Sequence, residues 1–146
     1  MTKILIIEDQ KGPLMALEYA LNEIAQNYLP NLTQDVARCY NEGEAMIKTR
    51  GYDLVLLDNR MSYENQVELE KRDFRQFCSK LEDIGYNLIP FIRKTSPTTI
   101  VIGTSSMSDD ELRRFERPDF IMRKSWGDAA VDLESILKQI NEGVKK

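Results

Sequence analysis

The stretch "LVLLDNRMS", Leu54 to Ser62, decides the fold. Leu54 to Leu57 form an apolar run without alternation, bounded by turn-like residues, which predicts a strand buried on both faces. The run ends on a carboxylate, Asp58. An unpaired acid at the rim of a core is costly, so Asp58 either caps a neighbouring element or does chemistry at the strand's carboxyl end.

Outward from this strand, apolar runs alternate with helical patterns. Ile4 to Ile7 predict a strand that ends in Glu8 and Asp9. Gly12 and Pro13 suit a helix start, and Leu14, Leu17, Leu21, Ile24 and Tyr28 follow helical spacing until Pro30 and Asn31. A weaker strand is expected around Val36 to Tyr40. Asn41 and Glu44 have capping-box spacing for a short helix ending near Gly51. Thr99 to Ile102 predict a strand followed by Gly103, Thr104 and Ser105. Ser108 and Glu111 make a second capping box for a helix that Pro118 ends. Phe120 to Met122 predict a short strand before Arg123 and Lys124. Asp128 opens a last helix with Leu133, Ile136, Leu137 and Ile140 on one face. This alternation implies an α/β fold, a parallel sheet with helices on both faces. At 146 residues, without repeats or a linker, one domain spanning 1–146 is expected.

Composition removes several classes of function. No apolar run approaches membrane-span length, and the opening "MTKILIIEDQ" is not a signal peptide, so a cytoplasmic protein without a membrane partner is expected. Cys39 and Cys78 have no metal-ligand spacing and read as free thiols. The net charge of −4 weighs against nucleic acid as a partner. The chain contains no histidine. A histidine-based triad, a His-liganded zinc site and a phosphohistidine on this chain are therefore excluded.

In folds of this class the site lies beyond the carboxyl ends of the strands. The residues there are Glu8, Asp9, Asp58, Thr104, Ser105 and Lys124. Three carboxylates in one crevice repel one another. Mg²⁺ would relieve that repulsion, because it favours one or two carboxylates, waters and phosphate oxygens. A phosphate would also account for the amine. Asp58 is then a third ligand or a nucleophile, a role carboxylates fill in aspartyl-phosphate chemistry. Singly, each residue has a plainer reading: Glu8 and Asp9 as caps of the first helix or acids favoured at its N-terminus, Asp58, Thr104 and Ser105 as turn formers, Lys124 as a solvated amine. Jointly they favour the metal and phosphate chemistry.

The stretches "ILIIED", "ARCYNEGEAMIKTRGYDLVLLDNRM", "TTIVIGTS" and "DFIMRKSW" make the chain similar to the receiver domain of two-component response regulators. The resemblance implies a doubly wound, flavodoxin-like sheet of five parallel strands in the order 2-1-3-4-5. It implies that Asp58 accepts a phosphoryl group, that Asp9, Asp58 and the backbone carbonyl of Arg60 hold Mg²⁺, and that Glu8 acts through water. It makes Lys124 the partner of Asp58 and then of the phosphoryl group. Thr104 becomes the hydroxyl that moves toward that group, and the small Ser105 leaves room for it. The implied partners are a sensor histidine kinase or phosphotransfer protein and a downstream protein target. The only chemistry expected is self-phosphorylation and self-dephosphorylation, not enzymatic turnover. The alternative is a pseudo-receiver, an interaction module regulated without phosphorylation.

Several positions depart from the family pattern. Ser62 and Ser125 stand where the family has proline, and the bond before the second of these is typically cis in the family. Cis costs more before serine than before proline, so the bond is either strained or trans in a reshaped loop. Arg123 or Lys124 could take the lysine position; Trp126, at a frequent aromatic position, favours Lys124. That register puts Ile121 at the usual aromatic switch position, with Phe120 one residue off. Arg60, two residues past Asp58, is expected to hang over the phosphoryl group. The largest departure is an insertion at about 63–83. There Phe74, Phe77, Cys78 and Leu81 predict one amphipathic helix, followed by a helix at about Gly85 to Lys94.

Two other classes fit less well. A haloacid-dehalogenase-type hydrolase needs a second Asp where Arg60 stands. A flavodoxin-type or nucleotide-binding domain needs an anion-friendly loop after the first strand, where this chain has the acidic "EDQKGP". The last helix runs nearly to the final residue, so the signal is expected to leave through protein contacts, with Leu112, Phe115, Phe120 and Trp126 on the face implicated.

Overall fold

The computed structural model describes residues 2–105 and 108–144, apart from the side chains of Asp109 and Val144. The main sheet contains β1 (Thr2–Ile7), β2 (Leu32–Ala37), β3 (Leu54–Leu57), β6 (Ile100–Gly103) and β7 (Phe120–Ile121). Its order is β2-β1-β3-β6-β7 and every pairing is parallel. Counting only these five strands, the order is 2-1-3-4-5, as expected for a doubly wound sheet.

Alternation along the strands sends side chains to two cores. Ile4, Ile6, Leu54, Leu56 and Ile102 face one side. There they meet Leu17 and Leu21 of α1 (Lys11–Ile24) and Leu133 and Leu137 of α7 (Asp128–Val144). Leu5, Ile7, Val55, Leu57 and Val101 face the other side. They pack on Ile47 of α2 (Tyr40–Thr49) and on Leu88, Ile89 and Ile92 of α5 (Leu88–Thr95). Burial on both faces explains why β3 carries no alternation in its sequence.

Four local expectations are corrected. The second strand is Leu32–Ala37, not Val36–Tyr40, and it pairs with β1 along its whole length, in the register Thr2↔Leu32 to Ile7↔Ala37. The helix after it has no Asn41–Glu44 capping box; instead Glu42 Oε1 accepts a hydrogen bond from the Arg38 N–H at 2.7 Å. The Ser108–Glu111 capping box is present, but its helix, α6 (Asp109–Leu112), stops well before Pro118. Beyond Leu112 the chain tightens into a turn that carries Phe115 against Tyr86.

The fourth correction concerns the segment after Asp58. It holds two short helices, α3 (Val67–Arg72) and α4 (Phe74–Ser79), in place of one. They stand on a two-stranded antiparallel stem of β4 (Arg60–Met61) and β5 (Glu82–Asp83). Asp73 breaks the helix: its backbone is extended, and its side chain accepts from the Gln76 N–H to cap α4. Phe77 and Leu81 are buried with Leu69 and the partly buried Cys78, whereas Phe74 is 54% exposed. Cys39 and Cys78 are both free thiols. No helix among the described residues is long and apolar enough to cross a membrane.

Candidate functional site

Strand register assembles the site. Ala37, Ile7, Leu57 and Gly103 occupy one row across four strands. The next residue on each strand is Arg38, Glu8, Asp58 and Thr104. Glu8, Asp9, Asp58 and Thr104 are all at most 2% exposed. Carboxylate oxygens of Glu8, Asp9 and Asp58 lie within 4.8 Å of one another.

Lys124 reaches this cluster from the loop after β7. Its Nζ donates to Glu8 Oε1 and to Asp58 Oδ2, both at 2.8 Å. The other Asp58 oxygen, Oδ1, accepts from the Asn59 N–H at 2.8 Å. Arg123 turns the opposite way and binds Asp132 and Asp128. The structure therefore selects Lys124 over Arg123 as the amine of the site.

A single ammonium, Lys124, faces three acids. Burial, helped by the nearby Asp58 charge, pushes the Glu8 carboxyl up to about 8 and that of Asp9 up to about 6. Burial also opposes the charge on Lys124, but Asp58 and Glu8 outweigh it and hold the ammonium above its ordinary range. Neither Asp9 oxygen accepts a hydrogen bond of ordinary geometry, although both are buried. A buried carboxylate with no partner is costly, and a hard cation on these oxygens would satisfy it. The residues present thus fit Mg²⁺, with Asp9 the clearest ligand. The plainer role of Glu8 and Asp9 as caps of α1 is not what the structure shows. Gln10 at the N-cap makes no side-chain cap, and Glu8 Oε2 accepts from the Gln10 N–H at 3.1 Å.

No protein-family model matches the sequence, and no curated protein matches it. Solved structures do match in shape. A response-regulator receiver domain protein from Methanospirillum hungatei JF-1 is 20% identical, with a TM-score of 0.66 over 99% of this chain and 98% of that one. The signal receiver domain of a DNA-binding response regulator from Colwellia psychrerythraea 34H is 23% identical, with a TM-score of 0.62 over 97% and 99%. A receiver domain from Methylobacillus flagellatus is 18% identical, with a TM-score of 0.61 over 96% and 98%.

The fold is that of a response-regulator receiver domain.

On this receiver fold, the departures from the family pattern take definite form. The Lys124–Ser125 peptide is trans, so the loop is reshaped, yet Lys124 still reaches Asp58. Arg60 does not hang over Asp58. Its side chain is 58% exposed and lies 3.9 Å from Asp83 across the β4–β5 stem, because pairing with β5 turns this residue away from the site. Thr104 Oγ1 is buried without a hydrogen bond of ordinary geometry among the described residues, while Ser105 is half-buried beside it. A cleft of about 360 Å³ adjoins Thr104 and Lys124 and is also lined by Ser105 and Ser125.

Three residues escape a sequence reading. Asn59 is fully buried, and its side-chain Oδ1 accepts from the Tyr86 N–H at 2.9 Å. Its backbone carbonyl accepts from the N–H groups of Ile84 and Gly85. The chain returning from residues 63–83 is thereby fastened to the residue after Asp58. Gly85 can sit there only because it lacks a Cβ, which would land on the Asp58 carbonyl oxygen. Tyr86 is also fully buried; its hydroxyl rests against Gly103, and its ring meets Phe115 edge-on. It supplies the large aromatic beside Thr104, whereas Ile121, at the usual switch position, is 51% exposed. The only sequence signal was an aromatic in "GYN", immediately after the insertion.

Proposed function

We propose that residues 1–146 form a phosphoacceptor receiver domain interrupted by an insertion at 63–83. The observation that carries this reading is Asp58 at the end of β3, clamped by Lys124, beside the buried Asp9 carboxylate, which accepts no hydrogen bond of ordinary geometry. Asp58 forms a P–O bond with a phosphoryl group. The P–N bond to a phosphohistidine of a partner kinase or phosphotransfer protein breaks, and its electron pair leaves with the imidazole. Lys124 pairs with Asp58 before transfer and with a phosphoryl oxygen after it. The Thr104 hydroxyl, with no competing bond of ordinary geometry, is placed to donate to another oxygen.

Mg²⁺ would be held by Asp9, Asp58 and the Arg60 backbone carbonyl, with Glu8 through water, and would supply neutralisation of the phosphoryl charge. The change at Asp58 is then read by a downstream protein through altered surface contacts.

Intact-protein mass spectrometry after incubation with Mg²⁺ and acetyl phosphate tests this reading. A phosphoryl adduct is expected on the unsubstituted chain and not on Asp58→Asn. No adduct with acetyl phosphate and none with a phosphorylated histidine kinase would favour the phosphorylation-independent interaction module.

A further inference from the structure

The insertion does more than pack beside the site. Glu70, on α3, accepts hydrogen bonds from the Lys11 N–H at 3.0 Å (Oε2) and 3.3 Å (Oε1). It thereby satisfies the first residue of α1 from 59 positions away in sequence. Its Oε1 also lies 3.5 Å from Arg38 Nη2. Arg38 in turn donates from Nε to the Glu8 carbonyl at 3.1 Å and from Nη2 to the Asp9 carbonyl at 3.0 Å. A second link runs from Asn65, whose Nδ2 donates to Glu42 Oε2 at 2.7 Å, while Glu42 Oε1 holds the Arg38 N–H. The backbone of residues 8–11, which carries two of the three acids, is therefore gripped on its carbonyls by Arg38 and on its N–H by Glu70.

The grip is polar and spares the acids themselves. Arg38 bonds the main chain of Glu8 and Asp9 and makes no bond to the Asp9 carboxylate. The two partners are only 19% and 12% exposed in their side chains, so water competes weakly for these bonds. Groups that orient metal ligands from behind typically change metal affinity by ~10–100-fold when removed.

We propose that Glu70 and Arg38 are positioning residues through which the docked insertion holds the Glu8–Asp9 loop in its cation-binding shape, so that releasing α3 lowers divalent-cation affinity. This rests on the reading of Glu8, Asp9 and Asp58 as a Mg²⁺ site. It makes the insertion a control element for phosphoacceptance: whatever draws α3 away from Arg38 lowers the competence of Asp58.

The test is Mg²⁺ titration followed by Trp126 fluorescence. Trp126 is the single tryptophan of the chain and lies two residues beyond Lys124. Mn²⁺ binding by paramagnetic resonance gives an independent reading. Glu70→Gln and Arg38→Met are each expected to weaken binding by ~10-fold. The double variant is expected to be little weaker than the worse single one, because both act on one loop. Glu68→Gln, an exposed acid on the same helix, should bind like the unsubstituted chain.

The Arg38 result separates positioning from simple charge. Removing a cation beside a cation site would tighten binding if only Coulomb forces acted. Unchanged or tighter binding by Arg38→Met overturns the proposal. If Arg38→Met does not fold, Glu70→Gln against Glu68→Gln decides: equal affinities overturn it. Failure of the unsubstituted chain to bind Mg²⁺ overturns the metal reading itself, and this inference with it.

Discussion

The five-stranded sheet and the inserted helices are held by different forces. The sheet packs between two apolar layers that draw on α1 and α7 on one side and on α2 and α5 on the other. Burying each Leu or Ile there contributes roughly 1.5–3 kcal/mol. The insertion buries only Leu69, Phe77 and Leu81, with Cys78 partly covered. Three residues cannot offset the entropy of ordering some twenty. The insertion stays docked through polar links instead: Glu70, Asn65, and the main-chain bonds from the N–H groups of Tyr40 and Asn41 to the carbonyls of Ser62 and Tyr63. A region fastened by polar contacts can open locally while the rest stays folded. The proposed control role asks for this arrangement: a segment beside Asp58 whose release leaves the rest of the fold in place.

The contrast breaks most visibly under core truncation. Leu56→Ala should cost about 2–5 kcal/mol of global stability in urea denaturation. Phe77→Ala removes a larger side chain, yet it should cost the global transition less and appear as faster amide exchange confined to 67–79. Equal global losses would place the insertion within the main cooperative unit.

Next in size is the site's own charge balance. Lys124→Ala strands Glu8 and Asp58 without their amine, and about 1–3 kcal/mol of stability should be lost at pH 8. Less should be lost at pH 6, where Glu8 is protonated. Denaturation with and without Mg²⁺ should show the cation restoring part of the loss.

A further effect follows from pH alone. The folded-state pKa values of Glu8 and Asp9 are raised to about 8 and about 6 from ordinary values of 4.5 and 3.8. The folded chain therefore holds protons that the unfolded chain releases. Without a divalent cation, this contribution to stability is fully present below pH 4 and declines as pH rises toward 8. Mg²⁺ competes with the same protons, so its stabilising effect should grow from pH 6 to pH 8, as thermal melts at both values will show. Smallest of all is Arg60→Ala. Its exposed pair with Asp83 should change stability by less than about 0.5 kcal/mol. A change in dephosphorylation rate would indicate that Arg60 swings back over Asp58.

The acids, the hydroxyl and the amine were legible in sequence because each follows an apolar strand, and parallel α/β folds place such ends together. The second strand is weakly marked by hydropathy, because its residues are mostly half-buried at the sheet edge. Residues 63–83 carry the pattern of one helix, because Phe77, Cys78 and Leu81 keep helical spacing. Asp73 gave only a weak sign that it would leave the helix and cap the next one. The roles of Asn59, Gly85 and Tyr86 had no local signature, since each depends on what the returning chain meets.

Local pattern by itself determined the parallel α/β architecture, the row of polar residues at the strand ends and the absence of histidine chemistry. Those properties follow from hydrophobic periodicity and from the residue types available. Only the tertiary structure decided that Lys124 rather than Arg123 faces Asp58, that Arg60 turns away, and that Glu70 and Arg38 grip the acidic loop. Those contacts join residues 23 to 116 positions apart. No local pattern encodes such a pairing; it is set by strand register and by where the insertion comes to rest.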